Sequence, residues 1–265
     1  MVVRADARPS PQEWMVLAAS REIRDSELVF VGMRLPLLAF RLAQATHAKR
    51  AVGLYENGIV RAEAASEVLY TMSDPPNLKG ATSATGMLDV MGFLQAGRVG
   101  LGFVGAAEVD RFGNLNTTLV SSGDGFVRLP GSGGASDIAS SSQRLAVLLN
   151  HEKHRLVERV SYMTSPGYGD GYDWRKRSGL SGGGPSAVIT DRGVLEFDPE
   201  SKEAVLRSFH PLSPSSSPEE VVGRTGWPLR VSDGCHPTPL PSEEELSLLR
   251  SFDPERFWLG KGDGR

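Results

Sequence analysis

Three short segments near the start of the chain limit its fold more than anything in its composition. Leu28-Val29-Phe30-Val31 is an apolar run stopped by Gly32. Leu35 to Thr46 then sets Leu37, Phe40, Leu42 and Ala43 at helical spacing behind a first-turn proline, Pro36, and Ala51 to Tyr55 is apolar again. Short apolar runs flanking an amphipathic stretch of helical length read as strand, helix and strand, the repeating pattern of a sheet covered by helices. The predicted fold class is α/β, with an open, mostly parallel sheet and flanking helices. Ligands of such sheets bind where the strands end at their carboxy termini. The second run ends in Tyr55-Glu56-Asn57-Gly58. Asn-Gly readily turns with positive φ, so Glu56 is predicted to sit where a buried strand opens into a tight turn. A carboxylate there is rigidly held, partly desolvated and close to backbone N–H groups able to bind an oxyanion, as covalent catalysis by a glutamate requires. The competing reading is a solvated acid beside a turn.

The alternation continues along the chain. Ser10 is placed to cap a helix over Pro11 to Arg24, with Trp14, Leu17, Ala18 and Ile23 inward. Glu63 to Ser83 is irregular, Leu88 to Ala96 reads as a helix closed by Gly97, and Val99 to Val104 as a strand. Gly105 to Asn116 carries an acid pair, Glu108 and Asp110, and a turn signal at Asp110-Arg111-Phe112-Gly113-Asn114. Strand-like runs at Asn116 to Ser121 and Val127 to Leu129 lead to Gly131-Ser132-Gly133-Gly134-Ala135, with Ser136 or Asp137 placed to cap the next element. Such a loop lets backbone N–H groups converge on an anion or a thioester oxygen. It has no Gly-Lys-Ser/Thr of a P-loop and fits the dinucleotide fingerprint poorly. Arg144 to Asn150 and Val157 to Met163 are predicted strands, and residues 165–185 a long glycine-rich loop of the kind that is functional or mobile. Ala187 to Thr190, Val194 to Phe197 and Ala204 to Ser208 read as hairpin-linked strands. Ser217 is predicted to cap a helix from Pro218, and Ser242 to Phe252 is the last amphipathic helix.

Three chemical motifs are set aside on their context. His151-Glu152-Lys153-His154 has one residue fewer than the zinc-protease spacing and no third ligand, so it is read as charged residues capping a strand. Gly179-Leu180-Ser181-Gly182-Gly183 spells a nucleophile elbow but follows no apolar strand. Cys235-His236, flanked by prolines, is read as structural filler. Partners are bounded by composition: a net charge of −3 with interspersed signs argues against nucleic acid, and no apolar stretch approaches the length of a membrane span. A single cysteine rules out an internal disulfide framework and, with no secretory signal over Met1 to Trp14, leads to the expectation of a cytoplasmic protein. The chain is expected to be one domain, residues 1–265, with residues 1–10 as a flexible tail.

Several separate segments also occur in the order found in class I CoA-transferases. They are Tyr55-Glu56-Asn57-Gly58, the run from Gly105 to Thr118, Arg128-Leu129-Pro130-Gly131-Ser132-Gly133-Gly134-Ala135, and His151 to Arg155 followed by Tyr162 to Gly167. Thr190-Asp191-Arg192-Gly193-Val194-Leu195 and Ser216 to Val221 continue the series. The chain resembles the β subunits of the glutaconate CoA-transferase branch, from about Val29 to the last helix. The resemblance implies a homologous α subunit as partner in a hetero-oligomer, an α/β CoA-transferase fold, and CoA thioesters as substrates with no resident cofactor or metal. It implies that Glu56 is the catalytic glutamate, passing through an acyl-glutamyl anhydride and a glutamyl-CoA thioester, with glutaconate- or glutarate-type acids favoured. Asn57 and Gly58 are expected to contribute to the oxyanion environment, and Gly131, Ser132, Gly133 and Gly134 to the acyl-CoA pocket. Relatives that decarboxylate 3-methylglutaconyl-CoA or hydrolyse a ring in steroid breakdown supply the alternative. They tend to lack a glutamate at the position of Glu56.

Overall fold

The computed structural model describes residues 8–123 and 125–260; most of the expected N-terminal tail lies outside them. The chain forms two compact units, one reaching Phe93 and resuming at Pro239, the other spanning Leu94–Thr238.

In the first unit, α1 (Pro11–Glu22) opens with a reciprocal capping box. Ser10 Oγ accepts the Glu13 N–H at 3.2 Å, and Glu13 Oε2 accepts the Ser10 N–H at 2.7 Å. Strand β1 (Leu28–Phe30), helix α2 (Leu35–Ala45) and strand β2 (Val52–Leu54) realise the predicted strand–helix–strand unit, with β1 and β2 parallel and Val29 opposite Gly53. Strand β3 (Ile59–Arg61), helix α3 (Pro75–Leu78) and strand β4 (Ser83–Ala84) follow, β3 and β4 extending the order antiparallel to β1-β2-β3-β4. Helix α4 (Met87–Gln95) is followed by Gly97 at φ +66°, as expected. The C-terminal helix Glu243–Phe252, capped by Ser242, brings Arg250 onto Glu13 at 2.8 Å; Arg256 adds a second guanidinium at 3.2 Å. Glu13 is 1% exposed on its side chain. Burial pushes its carboxyl up, but hydrogen bonds from Arg250 and the Ser10 N–H, with the two guanidinium charges, outweigh that and leave it below the usual range.

The second unit is larger. Its elements in order are β5 (Leu101–Gly105), β6 (Glu108–Asp110), β7 (Leu115–Asn116), β8 (Leu119–Ser122), β9 (Gly125–Arg128), α5 (Ala135–Ser141), β10 (Arg144–Leu148), β11 (Leu156–Val157), α6 (Trp174–Arg177), β12 (Pro185–Ile189), β13 (Gly193–Phe197), β14 (Ala204–Phe209), α7 (Pro218–Gly223) and β15 (Arg230–Pro237). The main strand order is β15-β14-β13-β12-β10-β5, with β5, β10 and β12 parallel and buried, and β12-β13-β14 antiparallel. The expected α/β class thus stands: parallel pairs at the heart of the sheet, antiparallel hairpins finishing it, helices alongside. A small β11-β6-β7 sheet and a β8-β9 hairpin carry the polar segments.

Three local expectations are corrected. Helix α5 begins at least two residues early, with Gly134 as N-cap and no side-chain cap, so neither Ser136 nor Asp137 caps it. The strand expected over Val157 to Met163 is only the end of β11, because Glu108 and Asp110 draw the following backbone into a polar loop. Cys235-His236, read as filler, lies on β15, a parallel edge strand. His151 is no solvated cap: it is 2% exposed, with Nδ1 and Nε2 each 3.0 Å from a hydroxyl, of Thr190 and Thr225. Burial lowers its imidazole to about 4, against the opposing charge of Asp191. Among the described residues no helix is long and apolar enough to cross a membrane.

Candidate active site

Glu56 stands at the tip of the β2–β3 hairpin, just beyond the carboxy-terminal end of a parallel strand. Tyr55 and Ile59 close the loop through the Tyr55 N–H and Ile59 O at 2.9 Å, and the Gly58 N–H returns to Tyr55 O at 2.9 Å. This is a three-residue hairpin loop whose last residue takes the left-handed conformation, and that residue is Gly58, at φ +100°. Asn57 is not left-handed; its amide is an anchor instead. Asn57 Nδ2 donates to Met72 O at 2.7 Å, where Asn77 Nδ2 also donates at 2.7 Å, and Asn57 Oδ1 faces the Ile59 N–H at 3.4 Å. Thr85 closes the other side: its N–H and Oγ1 both donate to Gly58 O, at 2.9 and 3.0 Å. A Cβ at Gly58 would lie 2.2 Å from Thr85 O, so glycine is required by contact as well as by φ. Glu56 itself is half-buried. Its chain neighbour Tyr55 is 1% exposed, and burial raises its hydroxyl far above the usual phenol range despite the charge of Arg61. The arrangement holds a carboxylate on a stiff support.

The Gly131–Gly134 loop lies in the second unit. Gly131 (φ +100°) donates its N–H to Thr117 O at 2.9 Å, Gly133 (φ +48°) is exposed, and Gly134 is buried as the N-cap of α5. Ser132 is half-buried, and its carbonyl accepts the Ala135 N–H at 2.9 Å. The loop ends at Ser136, whose Oγ donates to Thr164 O at 2.9 Å. The structure thus brings Glu56, Asn57 and Gly58 together in one turn and Gly131, Ser132, Gly133 and Gly134 in one loop.

Several groups that shape these segments carry no signal in the sequence. Met72 contributes a backbone carbonyl, which no residue type announces. Arg175, 7% exposed, spreads its guanidinium over the carbonyls of Ala139, Ser140, Gly167 and Gly182 at 2.9–3.0 Å and so pins the expected long loop. Asn114, a turn residue by its sequence context, also receives the N–H groups of Gly167 and Gly169 at 3.0 and 2.9 Å. An asparagine closing a turn next to glycine is the one hint the sequence holds.

Residues 13–222 match the coenzyme A transferase family, a span that includes both the Glu56 turn and the glycine loop. The chain belongs to that family. This CoA-transferase chain is 37% identical over 246 residues to the B-type subunit of the 3-oxoadipate CoA-transferase of Pseudomonas knackmussii, covering 92% of this chain and 93% of that one. It is 33% identical over 259 residues to the B-type subunit of the glutaconate CoA-transferase of Acidaminococcus fermentans, with 94% of each covered. The crystal structure of the latter enzyme superposes with a TM-score of 0.86 at 30% identity over 95% of this chain and 98% of that one. The decarboxylase AibA/AibB superposes at 0.78 and 28% identity, over 94% of this chain and 97% of that one.

Proposed function

We propose that this chain is the catalytic B-type subunit of a cytoplasmic CoA-transferase that moves CoA from an acyl-CoA to a free dicarboxylic acid through Glu56. The observation that carries the reading is the placement of Glu56 on a locked hairpin at the carboxy-terminal end of a parallel strand, in a chain of this family. The Glu56 carboxylate attacks the acyl carbonyl and expels CoA as thiolate, leaving a mixed anhydride. The thiolate then attacks the glutamyl carbonyl, releasing the free acid and forming a glutamyl-CoA thioester. The acceptor carboxylate reverses both steps: it displaces the thiolate to give a second anhydride, and the thiolate takes up the new acyl group and restores Glu56. A carboxylate is a poor nucleophile in water, and partial desolvation with fixed orientation supplies the missing reactivity. Asn57 and Gly58 serve by fixing the turn, and Gly131, Ser132, Gly133 and Gly134 present backbone groups to the acyl-CoA. CoA enters as substrate, and no resident cofactor takes part.

A homologous A-type subunit completes the enzyme, in line with both relatives being B-type subunits. For the acids, the sequence resemblance favours glutaconate and glutarate; the 37% identity to a 3-oxoadipate enzyme makes a six-carbon 3-oxo diacid the first to try. The test is mass spectrometry of the co-expressed complex after acyl-CoA and borohydride, which reduces a glutamyl thioester to the alcohol. Modification of the peptide carrying Glu56, and loss of at least about a thousandfold in rate in Glu56→Ala, are expected, with Glu56→Asp losing most of its activity through misplacement. The likeness to a decarboxylase supplies the second reading. An unmodified peptide with carbon dioxide released from the substrate would establish it in place of transfer; a ring-opened acyl-CoA with its thioester intact would instead point to the hydrolase alternative.

A further inference from the structure

Glu108 and Asn116 face each other across the β6–β7 ladder, and both are buried, at 4% and 0% exposure. Glu108 has no cation against it among the described residues. Its Oε2 accepts Asn116 Nδ2 at 2.7 Å and the Ser161 N–H at 2.9 Å, and its Oε1 accepts Ser161 Oγ at 3.0 Å. The Asn116 amide is saturated. Nδ2 also donates to Leu119 O at 2.6 Å, while Oδ1 accepts the N–H groups of Thr118 and Leu119 at 3.0 and 3.3 Å and faces Thr164 Oγ1 at 3.4 Å. Thr164 Oγ1 in turn accepts the Thr117 N–H at 2.9 Å and meets Thr118 Oγ1 at 2.8 Å. These residues clamp the glycine loop at both ends: Thr117 O takes the Gly131 N–H at 2.9 Å, and Thr164 O takes Ser136 Oγ at 2.9 Å.

We infer that Glu108 and Asn116 are positioning residues for the Gly131–Gly134 loop, a role that rests on the reading of that loop as an acyl-CoA-binding segment. A buried carboxylate is costly to keep, and one that accepts three hydrogen bonds from neutral donors is held for the geometry it dictates. Glu108 orients the Asn116 amide. That amide fixes Thr118 and Thr164, and those two residues with Thr117 set where the loop begins and ends. No other side chain can replace Asn116, because both amide hydrogens and both lone-pair directions of the oxygen are in use.

The chemistry separates three variants. Glu108→Gln keeps an acceptor for Asn116 and Ser161 N–H and offers its NH2 to Ser161 Oγ, which can turn to accept. Glu108→Ala leaves Asn116 Nδ2 with one of its two acceptors, Leu119 O, and the other hydrogen unpaired. Asn116→Asp sets a carboxylate against Glu108 and Leu119 O, tolerable only while the pair holds a proton, so its effect grows as pH rises. The neighbouring titratable group is Asp110, two residues along β6, whose carboxyl burial raises despite N–H donors from Phe112, Asn114 and Val160. The facing residues Leu156 and Val157 of β11 and Leu115 of β7 do not titrate.

The experiment pairs acyl-CoA kinetics of the co-expressed complex with hydrogen exchange of the peptide spanning residues 129–137. Glu108→Ala is expected to raise KM for acyl-CoA about tenfold or more and to speed exchange of the loop amides, while Glu108→Gln stays close to wild type. Asn116→Asp is expected to match the alanine variant at pH 8 and recover partly at pH 6. Unchanged exchange would overturn the positioning role, as would faster exchange with an unchanged KM. A wild-type complex that neither transfers CoA nor labels Glu56 would instead refute the proposed function, and the exchange data would still report on the clamp.

Discussion

The Glu56 turn and the Gly131–Gly134 loop both depend on a glycine at φ +100°, yet they are held in opposite ways. Gly58 is enclosed, with Thr85 O where a Cβ would go and hydrogen bonds on both faces of the turn. Gly131 has nothing within 4 Å of that point, and its N–H is tied to Thr117 O. The contrast extends to the units around them. The first is pinned by paired charges, Glu13 between Arg250 and Arg256; in the second, single charges meet neutral partners, Arg175 on backbone carbonyls and Glu108 on Asn116 and Ser161. On the proposed function, one segment supports a nucleophile and the other binds acyl-CoA, and those tasks call for different anchors.

Substitution at Gly58 is the severest way to probe this difference. Gly58→Ala must displace a backbone oxygen as well as adopt a left-handed φ, so we expect a loss of about 3 kcal/mol in stability and about a hundredfold or more in turnover, read by denaturant titration and steady-state assay. Arg250→Ala leaves the buried Glu13 with only the Arg256 guanidinium and the Ser10 N–H and should cost about 3 kcal/mol, while KM for acyl-CoA stays unchanged. His151 makes the second unit acid-sensitive. Its folded value of about 4 lies below the unfolded 6.5, so the unfolded chain binds more protons in that window and stability falls with pH, by about 2 kcal/mol between pH 7 and 5. Denaturation midpoints across that range check it, and a His151→Asn variant should lose most of the slope. Gly131→Ala is the mildest: with open space around it, only the left-handed φ is penalised, at about 1 kcal/mol. A Gly131→Ala cost equal to that of Gly58→Ala would erase the distinction.

The sequence exposes what repeats and hides what converges. Apolar runs mark the strands, Ser10, Ser217 and Ser242 mark helix starts through their N–H partners three residues on, and Asn57-Gly58 marks the turn beneath Glu56. These are local rules, each satisfied within a few residues. Asn57 as a tether to Met72 O, Arg175 as a clamp on four carbonyls, and Glu108 as the orienting partner of Asn116 are hidden because their partners lie 15, up to 36 and 8 residues away. The edge strand β15 escapes notice because Pro237, Gly234 and Asp233 are poor strand formers, and only pairing with β14 extends it. The two glycines at φ +100° look alike in sequence for the same reason: φ is a local property, and the oxygen of Thr85 is not.

That edge strand also decides how the molecule behaves in company. Along β14 the register moves from Leu206 to Ser208, while along β15 it moves from Val231 to His236, so Ser232 to Cys235 leave the ladder. A bare sheet margin invites a neighbour to add a strand, then another. Here the surplus residues and the ring of Pro237 interrupt the row of donors and acceptors that such growth would copy. The sheet therefore carries its own full stop, and a crowded solution of this chain has no straight margin there on which a fibril can start.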